Sequence, residues 1–370
     1  MNPLKKRTWA EINLSNLACN YRALRGMLPA GCRYLGVVKA DGYGHGGLPV
    51  AQKLQSLGAD YLGVACIDEA VALRQGGIAL PILILGATGA EFAPELLRYD
   101  LTQMVYSPDY ARSLADAVGT AGTLKIHVKV DTGMSRFGML GDGACDEIAA
   151  ICALKNLNAE GIFTHFADAD GDEGYTMAQL KKFTDLLWAL ERRGVTFDIR
   201  HCAASAAVLN YPCTYFDMVR PGIALYGHYP DPARKGKNAP ELLPVMTLKT
   251  RISSIKTVPA GTAVSYGRTQ TLTRDSRLAV LPLGYADGFP RALSGAGTVC
   301  VGGTMAPIVG RACMDLCMID LTDLPAVVEG DEVTVFGPGV PLETLADRAG
   351  TISYELLCGV SKRIPRLYTE

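Results

Sequence analysis

The chain has 370 residues, 49% of them hydrophobic, which is enough to bury the cores of two domains. Its 36 basic and 37 acidic side chains leave a formal net charge of −1, so there is no electrostatic footprint for nucleic acid or an anionic membrane. The longest apolar stretch, around Ile78 to Ala87, is far too short to span a bilayer. The N-terminal MNPLKKRTWAEINLS carries basic residues with no apolar run behind them and reads as lacking a secretion signal. Eleven cysteines, an odd number without CxxC pairs or Cys/His metal spacing, read as reduced, mostly buried thiols of a cytoplasmic protein. Metal binding is not suggested.

From Trp9 to about Tyr226 short β-rich runs alternate with helical patterns. The runs are Tyr34–Val38, Tyr61–Ala65, Ile82–Leu85, Thr102–Tyr106, Lys125–Val130, Ala159–Thr164, Asp198–Cys202 and Asp217–Val219. Between them, segments such as IDEAVALRQGG and AQLKKFTDLLWALERRG repeat apolar residues at helical spacing and end in glycine. Eight strands alternating with helices predict an α/β fold, a parallel sheet closed into a TIM-like (β/α)8 barrel. An open doubly wound sheet is the runner-up, disfavoured because no G-x-G-x-x-G opens the first helix. After the polar, proline-rich Pro230–Pro244 the character changes. MTLKTRISSIKTV, RLAVLPLGYA, GTVCVGGTMAPIVG, CMIDL and DEVTVFGPG predict a C-terminal mainly-β domain, closed by the helical pattern PLETLADRAGTISYELLCGV. The reading divides the chain into a barrel, 1–238, and a β domain, 239–370.

The most informative segment is YLGVVKADGYGHG, Tyr34 to Gly46. An apolar run ends in Lys39, and a loop with Gly42, Gly44 and Gly46 follows, letting backbone and Tyr43 approach a ligand closely. An amine in apolar surroundings loses its proton more readily and can attack a carbonyl; a solvated lysine before a turn is the plainer alternative. Barrel active sites sit at the C-terminal strand ends. There the sequence places Lys39 after the first strand, Arg136 after the fifth, His165 after the sixth, Ser205 after the seventh and Arg220 after the eighth. Singly, such an arginine is usually a loop anchor and such a histidine a structural one; five on one rim point to a site. The loops after strands seven and eight offer Ser205 in HCAASAA and Gly222–Ile223 in VRPGIALYG to an anion. A phosphate-bearing carbonyl cofactor facing Lys39 fits, with pyridoxal 5′-phosphate the foremost candidate.

With these residues in place the chain resembles the alanine racemases. The likeness runs through AEINLSNLACNYR, VVKADGYGHG, VKVDTGMSRFG, THFADAD, VRPGIALYG, VSYGRT, LPLGYADGF, GRACMDL and SYELLCGVSKRIPR. The resemblance implies that Lys39 holds pyridoxal phosphate as a Schiff base and acts as the base for the D-enantiomer. Tyr266 would be the base for the L-enantiomer, supplied by the partner of a head-to-tail homodimer. Two bases on opposite faces remove a proton from one side and deliver one from the other. By the same resemblance Arg220 faces the pyridine nitrogen and leaves it unprotonated, making a weaker electron sink that restrains side reactions. Arg136 supports the cofactor's phenolic oxygen and the substrate carboxylate, together with the backbone of Met314 from the other subunit. Lys129, seven residues before Arg136, is often carbamylated in the family, which would turn a cation into an anion; an ordinary lysine beside Asp131 is the alternative. His165 lies near the ring and His201 supports it. Tyr43, Ser205, Gly222, Ile223 and Tyr354 surround the phosphate, while Tyr285, Cys313, Met314 and Asp315 shape the substrate entrance.

One departure stands out. The family usually reads H-x-A-N-S after the seventh strand; here it is His201–Cys202–Ala203–Ala204–Ser205, with alanine for asparagine. The implied activity is interconversion of L- and D-alanine, supplying D-alanine for peptidoglycan. A serine or broad-specificity racemase is the alternative, with Tyr354 favouring the small alanine methyl and some serine turnover expected. A decarboxylase on the same plan would place a carboxylate opposite the pyridine nitrogen, which Arg220 argues against; a non-catalytic carrier would lack Tyr266 and the β domain.

Overall fold

The computed structural model describes residues 7–141, 143–234, 236–237 and 239–370. The basic Met1–Lys6 stretch and Asn238, where the sequence reading sets the domain boundary, lie outside them. The described chain forms two compact units. One holds Leu17–Gly42 and Gly47–Leu243; the other holds the residues up to Asn16, Tyr43–Gly46 and Pro244–Glu370.

Strand β1 (Thr8–Asn13) belongs to the second of these. The first unit carries β2 (Arg33–Val37), β3 (Tyr61–Val64), β4 (Ile82–Ile84), β5 (Thr102–Val105), β6 (Leu124–Lys129), β7 (Leu157–Phe163), β8 (Ile199–His201) and β9 (Met218–Val219). All neighbouring pairs are parallel, in the order β8-β7-β6-β5-β4-β3-β2-β9. The ring is completed beyond the strand ends, where Ala204 bridges Arg220 and the Arg220 amide donates to Ala203 O at 2.8 Å. This is the predicted barrel; β3 and β4 are wholly buried apolar runs, while β5 and β6 carry buried polar side chains among the apolar ones. The helix over Pro108–Val118 starts where Ser107 accepts from the Tyr110 amide and proline takes the first position. The long helix Glu173–Glu191 is capped by Asp172, which accepts from the Tyr175 amide.

The second unit is a mainly-β fold. Its strands after β1 are β10 (Met246–Arg251), β11 (Ser254–Val258), β12 (Ala263–Val264), β13 (Gln270–Thr271), β14 (Ser276–Leu281), β15 (Thr298–Val301), β16 (Thr304–Val309), β17 (Cys317–Asp320), β18 (Glu332–Phe336) and β19 (Arg366–Thr369). Eight of these form one nine-stranded sheet with β1, in the order β11-β14-β17-β16-β15-β18-β10-β1-β19, and β12 and β13 make a separate hairpin. Thus β1 pairs antiparallel with β10 and parallel with β19, more than 230 residues away. The single helical pattern expected at the end is two helices, Leu342–Ala349 and Ser353–Gly359. Gly350 separates them in the left-handed conformation (φ +70°), the usual helix stop.

The thiols differ from expectation. All eleven are free, but only Cys32, Cys145, Cys202 and Cys317 are buried; Cys19, Cys213 and Cys358 are exposed and the rest intermediate. Several sit on the outer helices and loops, where a small side chain of any polarity is tolerated. Among the described residues no helix is long and apolar enough to cross a membrane.

Candidate active site

The rim of the barrel gathers its charged side chains at strand ends. Two residues past β2, Lys39 opens a turn in which Ala40, Asp41, Gly42 and Tyr43 all have φ between +52° and +61°. The sequence suggests a glycine loop; the chain instead makes a left-handed helical turn, with the Gly42 amide donating to Val38 O at 2.8 Å. Three of these four residues carry a Cβ, and each costs roughly 1–2 kcal/mol in this region. Asp41 contributes to holding the turn, because its carboxylate accepts from the Gly47 amide at 2.6 Å. Such strain is kept where neighbours over-determine the backbone, and it marks this turn as more than a connector.

Arg220, just beyond β9, is 3% exposed. Its Nη1 donates to His201 Nδ1 at 2.7 Å; its Nη2 faces Thr164 O at 2.9 Å, Cys202 O at 3.0 Å and His165 Nδ1 at 3.1 Å. The guanidinium also lies over the Phe163 ring at 5.3 Å. All these acceptors are neutral. Among the described residues no carboxylate forms an ion pair with it, and burial lowers its pKa to about 10 while leaving it charged at neutral pH. Lys129 closes β6 at 3% exposure, with Nζ donating to Val130 O at 2.5 Å. Burial first, then the cation of Arg220, brings its pKa down to about 7, against a smaller opposing pull from Asp131.

His165 is surrounded by positive charge. Burial, followed by Arg220, Arg136, Lys129 and Lys39, holds its pKa well below the ordinary value. With Nδ1 accepting from Arg220, the ring is neutral. Arg136 stands on an exposed loop that the Asp131 carboxylate folds by accepting from the amides of Gly133, Met134 and Arg136 at 2.8–3.1 Å. Despite burial, the amides of Gly133, Ser135 and Met134, with Lys129, hold the Asp131 pKa below the usual carboxylate range. Arg220, Arg136, Lys39 and the half-neutral Lys129 thus share one rim on which the Asp131 and Asp41 carboxylates are already engaged by backbone amides. Such a field selects an anion.

Ser205 begins the short helix Ser205–Asn210, and its Oγ accepts from both the Gly222 amide at 2.9 Å and the Ala224 amide at 3.2 Å. Two backbone N–H groups thus fix this hydroxyl as their acceptor, which leaves its own proton to donate to another group. Gly222 and Ile223 lie at the start of the turn Ile223–Tyr226. Ala204 takes the cap position of the Ser205 helix without a side-chain acceptor, the place where asparagine would offer one.

The second unit brings together the remaining predicted residues. Tyr43 is buried, its ring 6.1 Å from that of Tyr354 on the helix Ser353–Gly359, and burial raises its pKa. Tyr285, Cys313, Met314 and Asp315 lie on two adjacent turns: the Tyr285 amide donates to Cys313 O at 3.0 Å and the Ala286 amide to Met314 O at 2.9 Å. Gly284 permits this approach, since a Cβ there would sit 2.3 Å from Met314 O and 2.4 Å from Cys313 O. Tyr266 follows Ser265, strained at φ +63° and pinned by its Oγ donating to Arg311 O at 2.7 Å. The tyrosine itself is 72% exposed, although large and aromatic.

The family descriptions "Alanine racemase, N-terminal domain" and "Alanine racemase, C-terminal domain" match residues 12–230 and 245–368. The alanine racemase of Desulfovibrio desulfuricans is 45% identical over 98% of both chains, and that of Desulforamulus reducens 46% identical over 99% of this chain and 100% of its own. Among solved structures, the alanine racemase of Clostridium difficile superimposes with a TM-score of 0.94 at 40% identity, covering 98% of this chain and 96% of that one. The chain belongs to the alanine racemase family. The alanine racemases are isomerases, and a structure of the Bacillus anthracis member, 33% identical with a TM-score of 0.92 over 98% of this chain and 95% of that one, holds L-Ala-P.

Within this alanine racemase frame, two groups of residues escaped the sequence reading. One is Asp287, fully buried, which binds Arg7 through both oxygens at 2.7 and 2.8 Å, Arg363 at 2.7 Å and the Gly284 amide at 2.9 Å. Arg363 also reaches Asp315 at 2.8 Å, so Asp287 anchors both entrance turns. The other is the pair His127 and Glu160 beneath Arg220. A buried histidine and an acid inside barrel strands were the available signals, and nothing in their spacing links them.

Proposed function

We propose that the chain interconverts L- and D-alanine with pyridoxal phosphate as cofactor. The observation that carries this is the buried, carboxylate-free Arg220 on a rim that also holds Lys39 and the Ser205 hydroxyl. The donor set fits the cofactor: an amine for its carbonyl, the Ser205 hydroxyl for its phosphate, and a permanent cation that leaves a ring nitrogen unprotonated. When bound, pyridoxal phosphate supplies the electron sink that acidifies the substrate's α-carbon. Lys39 holds it and moves the proton on one face. Ser205 with the Gly222 and Ile223 backbone, and Tyr43 and Tyr354 by their place in the family motifs, are assigned to the phosphate. His165 stands beside the ring and His201 behind Arg220. Arg136 and the backbone of Met314 hold the substrate carboxylate, with Tyr285, Cys313 and Asp315 shaping the approach.

Tyr266 is assigned the opposite face, supplied across a homodimer; its exposure on a pinned, strained turn supports that reading. Lys129 supports carbamylation, because an amine half-neutral near pH 7 is the form that adds carbon dioxide, and the product would balance Arg136 and Arg220. Cytoplasmic location and a role in peptidoglycan precursor supply follow from the same assignment. The working domain division is 1–238 and 239–370.

The test is turnover of a panel of L-amino acids by the purified, cofactor-loaded protein, followed by chiral chromatography. Alanine should racemise fastest, with slower turnover of serine. Absence of D-alanine would refute the assignment, and faster serine turnover would favour the broad-specificity alternative.

A further inference from the structure

Below Arg220 a line of polar groups runs inward through the barrel. His201 Nδ1 receives Arg220 Nη1 at 2.7 Å, and His201 Nε2 lies 2.8 Å from His127 Nδ1. His127 Nε2 lies 3.4 Å from Glu160 Oε1 and forms no hydrogen bond, so this contact is electrostatic: a carboxylate at that distance favours N–H over a lone pair there. The same oxygen accepts from Tyr61 OH at 3.1 Å and Thr102 Oγ1 at 3.3 Å. Both histidines are completely buried.

The proton positions follow from the ends. A guanidinium only donates, so His201 Nδ1 must be the acceptor and its single proton sits on Nε2. That proton points to His127 Nδ1, which must therefore accept, leaving the His127 proton on Nε2 toward Glu160. Both hydrogen-bonded links run in one direction, from Arg220 to His127, and reversing either sets two donors or two lone pairs face to face; the Glu160 charge then favours the N–H that is left on His127 Nε2. The titration preferences agree. Burial keeps both histidines below their ordinary pKa. Burial raises the Glu160 pKa, but His127 and the hydroxyls of Tyr61 and Thr102 outweigh it, so the carboxylate stays ionised.

The backbone is shaped for this arrangement. The β6–β7 register shifts between Ile126 and His127: Ile126 faces Ala159 and His127 faces Gly161, so Glu160 is the extra residue of a bulge. Bulges re-aim side chains. Gly161 completes it, because a Cβ there would lie 2.6 Å from the His127 ring. Phe163 then stacks on His201 at 4.7 Å with 7° between the planes, fixing that ring's orientation.

We propose that Glu160 is a positioning residue for Arg220, setting the tautomers of His127 and His201 so that Arg220 is held by a lone pair and kept aimed at the ring nitrogen. The last step rests on the cofactor reading above; the proton arrangement does not.

The test uses the full-length, cofactor-loaded protein with ¹⁵N-labelled histidine, of which the chain has five. Long-range ¹H–¹⁵N spectra at neutral pH should show His127 and His201 as Nε2–H tautomers. In Glu160→Leu the His127 tautomer should change or become mixed, and kcat for alanine should fall about tenfold, the low end for losing a supporting hydrogen-bond partner of a functional group. KM should stay within about twofold, since no substrate contact is touched. Glu160→Gln, which keeps an acceptor oxygen, should restore most of both. An Nδ1–H tautomer at either histidine in the unmodified protein would overturn the proposal without any variant, as would Glu160→Leu with unchanged tautomers and kcat. Correct tautomers in a protein with no alanine turnover would sink the cofactor reading and leave the proton arrangement standing.

Discussion

Lys129 and Arg220 are both buried cations, and neither has a carboxylate ion pair among the described residues. For Lys129 the consequence is a measurable linkage. Its folded pKa, about 7, lies below the unfolded value near 10.4, so the unfolded chain binds more protons between those limits. Stability contributed by this site should therefore rise as pH climbs from about 7 toward 10, and be lost as pH falls back through that window. In carbon-dioxide-free buffer, Lys129→Met should flatten the pH dependence of Tm across that range; an unchanged slope would show that Lys129 is not the titrating group. Lys39 carries a simpler expectation. Lys39→Ala should abolish the visible absorbance of the bound cofactor, and a spectrum identical to that of the unmodified protein would contradict the covalent assignment. Tyr266→Phe should slow exchange of the α-proton of L-alanine in deuterated solvent far more than that of D-alanine. Equal losses would count against opposite-face bases.

The turns carry as much of the site as the strands do. Gly284 lets the Tyr285 and Met314 turns touch, and its neighbours are backbone carbonyls that cannot rotate away. Gly284→Ala should therefore cost at least about 1–3 kcal/mol, the usual range for overpacking, seen as a lower Tm. It should also raise KM for alanine; a normal Tm would mean that the two turns separate easily. Elements of this kind show how far the sequence was legible. The eight barrel strands were readable because each is a local apolar run, and Lys39, Arg136, His165, Ser205 and Arg220 were readable because strand ends inherit that regularity. The left-handed turn at Ala40–Tyr43 was not, since Ala40 and Asp41 carry no propensity for it and only surrounding structure imposes it. Nor was the placement of β1, whose partners β10 and β19 lie in sequence far beyond any local pattern. Asp287 and Glu160 share that fate: each is one acid among many until distant strands bring arginines or a histidine to it.

At the scale of the whole molecule, the two kinds of unit divide the chemistry. The barrel holds the lysine, the arginine and Ser205, and the β unit holds Tyr266 on its exposed turn. If one protomer's Tyr266 completes its partner's site, two dead variants should repair one another. A Lys39→Ala protomer still offers an intact tyrosine, and a Tyr266→Phe protomer an intact lysine; their heterodimer contains one complete site and one empty of both. The direct measurement is alanine racemisation after unfolding and refolding the two variants together, compared with each variant refolded alone. Activity in the mixture, at up to about one quarter of the unmodified protein for random pairing, is the predicted result. A mixture no more active than the two variants apart would contradict a shared two-base site.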